Sequence, residues 1–271
     1  MQIFKVYSLA FSIIVGLMVS GCASITDTDA PHVDQKSFGS KKIFAVVSTA
    51  SLKTIQEGKG MSQIFKSADA IPGANTQSII NKLSPKIIRA LGSSKHFTLL
   101  PENKVLTSKV YRSLAEDEKV TEELFMPDKI NVANKYKYLS DEQTYAELAK
   151  DLNVDGVIGI TMRFSIFTSK RNVSNMGLSL GKQNYSVMAS ISVIAYNKYR
   201  EIIWKDAILK EAEPEDTKSF ILLETSGMTS ADFEKLHPSA VEIGEKAIDE
   251  LLARFDDMMT GKKVSRMQRR K

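Results

Sequence analysis

A single cysteine, Cys22, rules out any intrachain disulfide. The three histidines, His32, His96 and His237, stand far apart, and no two lie four residues apart as ligands on one helix would. With no second thiol to join them, the usual ligand sets for structural zinc have no sequence counterpart. Gly156 and Gly159 lack the third glycine of a dinucleotide loop and lead into a strand pattern instead of a helix. No Gly-x-Ser-x-Gly elbow occurs. No apolar run approaches the roughly 20 residues a membrane-crossing helix needs. These absences lead us to expect no catalytic group, no metal and no cofactor.

What is present begins at the N-terminus. Lys5 supplies a small positive region, and Val6 to Val19 is an almost wholly apolar run of 14 residues. That length suits the apolar segment of an export signal. The run closes on Val19-Ser20-Gly21-Cys22, which resembles the lipobox of bacterial lipoproteins. A buried apolar element beside a chance cysteine is the alternative. The resemblance implies that residues 1–21 are a signal peptide cut between Gly21 and Cys22. It also implies that Cys22 carries a diacylglyceryl thioether and an N-linked acyl chain such as palmitate. Two or more chains anchor stably where one does not. Ala23 and Ser24 stand where an acidic residue would favour inner-membrane retention. The implied location is therefore the inner leaflet of the outer membrane, facing the periplasm.

Charge is uneven. The net charge of +5 owes much to Lys262, Lys263, Arg266, Arg269, Arg270 and Lys271, a stretch with no acid. Setting aside those six and Lys5 leaves 30 of the 37 bases against 32 acids. A tail over residues 261–271 suits an anionic lipid or another acidic partner. A solvated, frayed terminus is the plainer alternative. Nucleic acid is not an expected partner of an exported chain whose body is nearly neutral.

Residues 22–40 are polar and aperiodic and read as a lipidated tether. Residues 41–260 read as one domain. Ile43 to Ser48 has the pattern of a buried strand. Ile79, Ile80, Leu83, Ile87, Ile88 and Leu91 share one helical face, with Pro85 predicting a kink or a restart at Ser84. His96 to Leu100 reads as a strand, with His96 at its start, and Asn103 to Leu114 as one helix. An acidic connector reaches Tyr138, and its clusters, Glu116-Asp117-Glu118 and Glu122-Glu123, read as solvated. Ser140 and Gln143 have the spacing of a capping box, and Asn153 ends that helix. Asp155 reads as a turn residue. Val157 to Thr168 and Tyr185 to Tyr196 alternate apolar and polar residues, and Glu201 to Lys210 returns after a turn at Asn197 to Arg200. Ser239 and Glu242 predict the start of a last helix just after His237 and Pro238. The fold class expected is α+β: a mixed, largely antiparallel sheet with helices packed on one face.

This order of elements resembles the curli secretion lipoprotein and its periplasmic relatives, including the TolB N-terminal-like domain and the lipoprotein activators of penicillin-binding proteins. The residues that carry the resemblance are Ile43 to Ser48, the helix to Leu91, and Phe97-Thr98-Leu99-Leu100-Pro101-Glu102. Tyr145 to Ala149, Val154 to Gly159 and the Tyr185 to Lys210 hairpin complete it. It implies a non-enzymatic binding or assembly factor, held on the membrane by its lipid and engaging another envelope protein. It also admits a homo-oligomeric ring or pore in which residues 161–190 form a membrane hairpin. Against the pore, Ser169 to Asn184 has few large apolar residues and no aromatic girdle.

Overall fold

A computed structural model of the chain describes residues 30–53, 55–58, 71–114, 120–123, 126–169, 182–213, 216–224 and 228–265. Gly21, Cys22, Arg266, Arg269, Arg270 and Lys271 lie outside the described residues, as does the acidic cluster at 116–118. The strands are β1 (His32–Val33), β2 (Ile43–Leu52), β3 (Gln56–Gly58), β4 (Thr98–Leu99), β5 (Val120–Glu123), β6 (Met126–Val132), β7 (Gly156–Ser169), β8 (Lys182–Asn197), β9 (Ile202–Glu211) and β10 (Phe220–Glu224). The helices are α1 (Gln77–Gly92), α2 (Glu102–Thr107), α3 (Lys109–Ser113), α4 (Glu142–Asp151) and α5 (Ser230–Met259).

One sheet runs β1-β9-β8-β7-β2-β6-β5, with β10 beside β8, β3 beside β7 and β4 beside β2. The pairings of β2 with β7 and β4, and of β3 with β7, are parallel; the others are antiparallel. The α+β class and the mixed, largely antiparallel sheet are as expected. The long β7–β8 ladder sets Ile160 opposite Val193, Met162 opposite Ile191 and Phe164 opposite Ala189. Trp204, Asp206 and Ile208 of β9 continue that face. It carries α5: the Trp204 ring lies 4.3 Å from that of Phe255, and Asp206 meets Arg254.

α1 packs alongside α5. A Cβ on Gly244 would stand 2.5 Å from Leu83 Cδ1, so the missing side chain sets how closely the two helices approach. The sheet's other face is not bare. A Cβ on Gly159 would sit 2.0 Å from Tyr145 Oη, which places α4 over the face opposite Ile160. Glycine at 159 is thus a packing requirement for α4.

Several boundaries move. α1 runs unbroken through Pro85, with Ser84 buried. Asn103 to Leu114 is two helices, because Ser108 turns its hydroxyl to the Tyr111 N–H (3.1 Å) and caps α3. In α4 the cap is Asp141, which accepts from Thr144 N at 2.9 Å, and not Ser140. Asn153 ends α4 in the left-handed region (φ 50°), as expected. The connector before Tyr138 contains β5 and β6, and β6 pairs with β2. α5 starts nine residues before Ser239: Thr229 and Asp232 form its capping box, while Pro238 and Ser239 lie inside it. Phe233 and Leu236 extend its buried stripe, so tertiary burial holds a helix that local proline chemistry would interrupt.

A bulge between Val46 and Ser48 frees the Val47 carbonyl from the ladder. Tyr111 Oη donates to it at 2.8 Å and accepts the Lys137 N–H at 2.8 Å. Burial holds this hydroxyl well above its ordinary pKa.

Candidate functional site

The fold offers two candidate sites: the edge where residues 32–38 and the C-terminal end of α5 meet, and a cleft at the far end of the long helices. The edge differs most from expectation. His32 and Val33, expected in the tether, pair with Lys205 and Trp204, and Asp34 N donates to the Ile203 carbonyl at 2.9 Å. Gln35 Nε2 donates to the Met258 carbonyl. Phe38 is buried, stacked 4.8 Å from Phe44 and edge-on to Phe255 at 5.1 Å. Residues 32–38, read from the sequence as part of the tether of residues 22–40, are therefore docked on the folded body. Burying the phenyl ring contributes roughly 2 to 3 kcal/mol to that docking, alongside the strand pairing and the Gln35 bond.

The C-terminal end docks beside it. Arg254 grips Asp206 with two bonds, Nε to Oδ2 at 2.9 Å and Nη2 to Oδ1 at 2.8 Å. The Asp206 side chain is 1% exposed and that of Arg254 14%. Such a pair is retained only with good geometry, because each ion has given up its water. Arg254 Nη1 also donates to the Ser265 carbonyl at 3.1 Å, and Val264 packs against the core. So the first residues of the tail are bound. Lys262 pairs with Asp257 at 2.6 Å, and Lys263 is exposed.

His96 does not cap a strand with its side chain. Its Nε2 lies 3.0 Å from Asp256 Oδ1, and its ring stands edge-on to Phe255. Asp155 accepts from Lys42 Nζ (2.8 Å) and Ile43 N (2.9 Å). Burial pushes its pKa up, but these two bonds outweigh it and leave the carboxyl below its ordinary value.

The cleft lies between the N-termini of α1 and α5. It holds about 370 Å³ and is lined by Gly73, Asn75, Ser78, Phe233, Glu234 and His237, among others. Ser78 Oγ and His237 Nδ1 are 3.1 Å apart. Burial lowers the His237 pKa, nearby Lys82 adds to this and Glu234 opposes it. A hydroxyl bonded to a neutral imidazole is half of a nucleophile-and-base pair. The orienting third group is missing: the buried Nε2 has no partner among the described residues. Ser78 and His237 therefore tie α1 to α5, and Gln77 Nε2 ties α1 to the Val132 carbonyl at 2.9 Å. The described residues hold no group of three or more His, Cys, Asp or Glu able to bind a metal. No described helix is long and apolar enough to cross a membrane.

Sequence reasoning missed Asp206 and Arg254. Their signal was available: Asp206 interrupts the apolar set Trp204 and Ile208, and Arg254 precedes Phe255 in the buried stripe of α5.

No family model matches the chain, and no curated protein does. Among solved structures it is similar to the LpoB C-terminal domain from Salmonella enterica, at 11% identity and a TM-score of 0.31, covering 64% of this chain and 85% of that one. It is also similar to protein XCC0632 from Xanthomonas campestris, of family DUF330, at 10% identity and a TM-score of 0.30, covering 84% and 92%. At those TM-scores neither likeness carries an argument.

Proposed function

We propose that the chain is an outer-membrane lipoprotein, anchored through Cys22, that binds or supports another envelope protein and catalyses no reaction. The observation that carries this reading is the order Lys5, a 14-residue apolar run, Ser20-Gly21 and the chain's one cysteine. The position of the folded body agrees with it. Among the described residues the first that pairs in the sheet, His32, follows Cys22 by ten residues, a reach of about 33 Å at full extension. An anchor that close holds the domain against the bilayer. The elbow, phosphate loop and ligand spacings that would argue for an enzyme are missing from the sequence.

No observation favours the alternative of a ring or pore. The flanks of the supposed membrane hairpin are core: Phe164, Ile166, Val187 and Ala189 are buried within β7 and β8.

Three measurements test the proposal. In fractionated cells the intact protein should sediment with membranes and the Cys22→Ala variant should not. In detergent the lipidated protein should be free of large symmetric rings. In the folded chain Phe164→Asp should cost several kcal/mol, because it removes a buried ring and leaves a desolvated charge. A melting curve unmoved by Phe164→Asp, together with a symmetric multimer, would favour the pore instead.

A further inference from the structure

A strand edge offers unpaired N–H and C=O groups to any extended chain, and charged residues along it discourage a second strand. At one margin of the sheet β5 carries Glu122 and Glu123. At the other, β1 covers β9 at Trp204 and Lys205, and Lys210 and Glu211 follow further along β9. β10 has no such guard, with no charge from Phe220 to Leu223. It pairs with β8 on one side, Phe220 opposite Ser186 and Leu223 opposite Gln183. It continues the line of β9, whose Glu211 stands opposite Met188. On its other side no described strand pairs with it. The strand is firmly seated. Ser186 Oγ donates to the Ser219 carbonyl at 2.7 Å, and the hydroxyl of buried Ser219 donates to Asp216 Oδ2 at 2.6 Å. Ile221 and Leu223 share the face of Tyr185, which carries α5, and Phe220 and Leu222 lie on the other. Phe220, Ile221 and Leu223 are half-buried, and Leu222 is 46% exposed. The other large apolar side chains exposed among the described residues, Ile43 and Tyr199, stand at the opposite end of the sheet.

We propose that the free edge of β10 docks a second copy of this chain, β10 against β10, antiparallel about a two-fold axis. The strand's own sequence selects this occupant, because it is complementary to itself. A two-fold axis through an antiparallel pair sets one residue opposite its own copy. With the axis at Ile221, Phe220 stands opposite Leu222 on both sides of it. With the axis at Leu222, Ile221 stands opposite Leu223. In either register the three central cross-strand pairs are apolar on apolar, the kind that stabilises a ladder, and no like charges meet among them. The pairing uses both free β10 edges, so it closes at two copies and builds neither ring nor fibre. Five residues, about 17 Å of strand, make a smaller contact than the roughly 20 to 30 residues a side of a standard interface. The dimer is therefore reversible in solution. Nothing in this inference uses the lipid anchor, so its failure and that of the lipoprotein reading are separate results.

The test is sedimentation equilibrium of the unlipidated chain from Ala23 to Lys271, which contains every described residue, at concentrations up to about 1 mM. We expect a monomer–dimer equilibrium. Leu222→Lys puts a charge on the edge of both copies and should weaken the dimer by about tenfold or more. Leu222 is exposed, so an unchanged melting curve verifies that the variant folds. Tyr199→Lys, the same kind of change at the opposite end of the sheet, should leave the dimer as it was. In this cysteine-free chain Leu222→Cys should give a covalent dimer with a short bismaleimide linker, and Tyr199→Cys should not. A chain that stays monomeric throughout overturns the proposal. So does a dimer that Leu222→Lys leaves intact or that Tyr199→Lys weakens as much. Assembly past two copies, or cross-linking of Tyr199→Cys as readily as of Leu222→Cys, also overturns it.

Discussion

The two ends of the long helices are built differently. At the C-terminal end of α5 the fold is held by aromatic packing, Phe44 on Phe38 and both Phe38 and Trp204 on Phe255, and by the buried pair of Asp206 and Arg254. At the N-terminal ends of α1 and α5 the links are polar and partly wet: Gln77 to Val132, Asn131 to Asn75, and Ser78 to His237. The first end fastens both ends of the folded chain and leaves cations outside. The second leaves a cleft. Burial at the first end makes each side chain there costly to remove, whereas solvent can replace much of what is lost at the second.

That contrast can be broken by mutation. The largest effect should come from starting the chain at Ser40, which deletes β1 and Phe38. We expect a loss of about 5 kcal/mol, a melting temperature lower by some 10–20 °C. A chain from Ser40 that melts like the full one would mean that residues 32–38 add nothing. Asp206→Ala should come next, at about 4 kcal/mol, because it strands the Arg254 charge in a buried position. Urea titration reads this directly, and a cost below about 1 kcal/mol would show that water reaches the guanidinium. At the cleft, Gln77→Ala should cost about 1 kcal/mol, for one partly buried bond to the Val132 carbonyl. Ser78→Ala should cost less, and a cleft variant as damaging as Asp206→Ala would erase the distinction.

The smallest expected effect is a pH slope. Burial holds the His237 imidazole below its ordinary value of 6.5, so the folded chain favours the neutral ring. The unfolded chain takes up a proton near pH 6.5 and the folded chain only at lower pH. Stability should therefore fall as pH drops from about 6.5 towards the folded value. His237→Gln should flatten that slope; an identical slope in the variant would assign it to another group.

Much of the fold was legible in the sequence because period and burial agree there. β7 and β8 alternate cleanly, and every apolar residue of the Ile158 to Ile166 set is buried. The buried stripe of α1 also has the expected spacing. What was not legible depended on partners distant in sequence. Phe38 is a lone aromatic in a polar stretch, and only Phe44 and Phe255 reveal its place. Pro238 argues locally for a helix start, but Phe233 and Leu236 bury the turns before it. The Ser108 break depends on a hydroxyl that competes with the helix backbone. The gathering of Lys41, Lys95, Lys198, Arg200, Lys262 and Lys263 at one end of the sheet was invisible because these cations come from four separate segments. The lipidation signal needed no fold at all, since its residues are contiguous.

The central claim is that Cys22 is the acylated N-terminus of the mature protein. Mass spectrometry of the protein isolated from membranes tests it most directly. The expected spectrum contains an N-terminal peptide that begins at Cys22 and carries a diacylglyceryl group and an N-linked acyl chain. A peptide that begins at Met1, or one in which Cys22 is a free thiol, would contradict it.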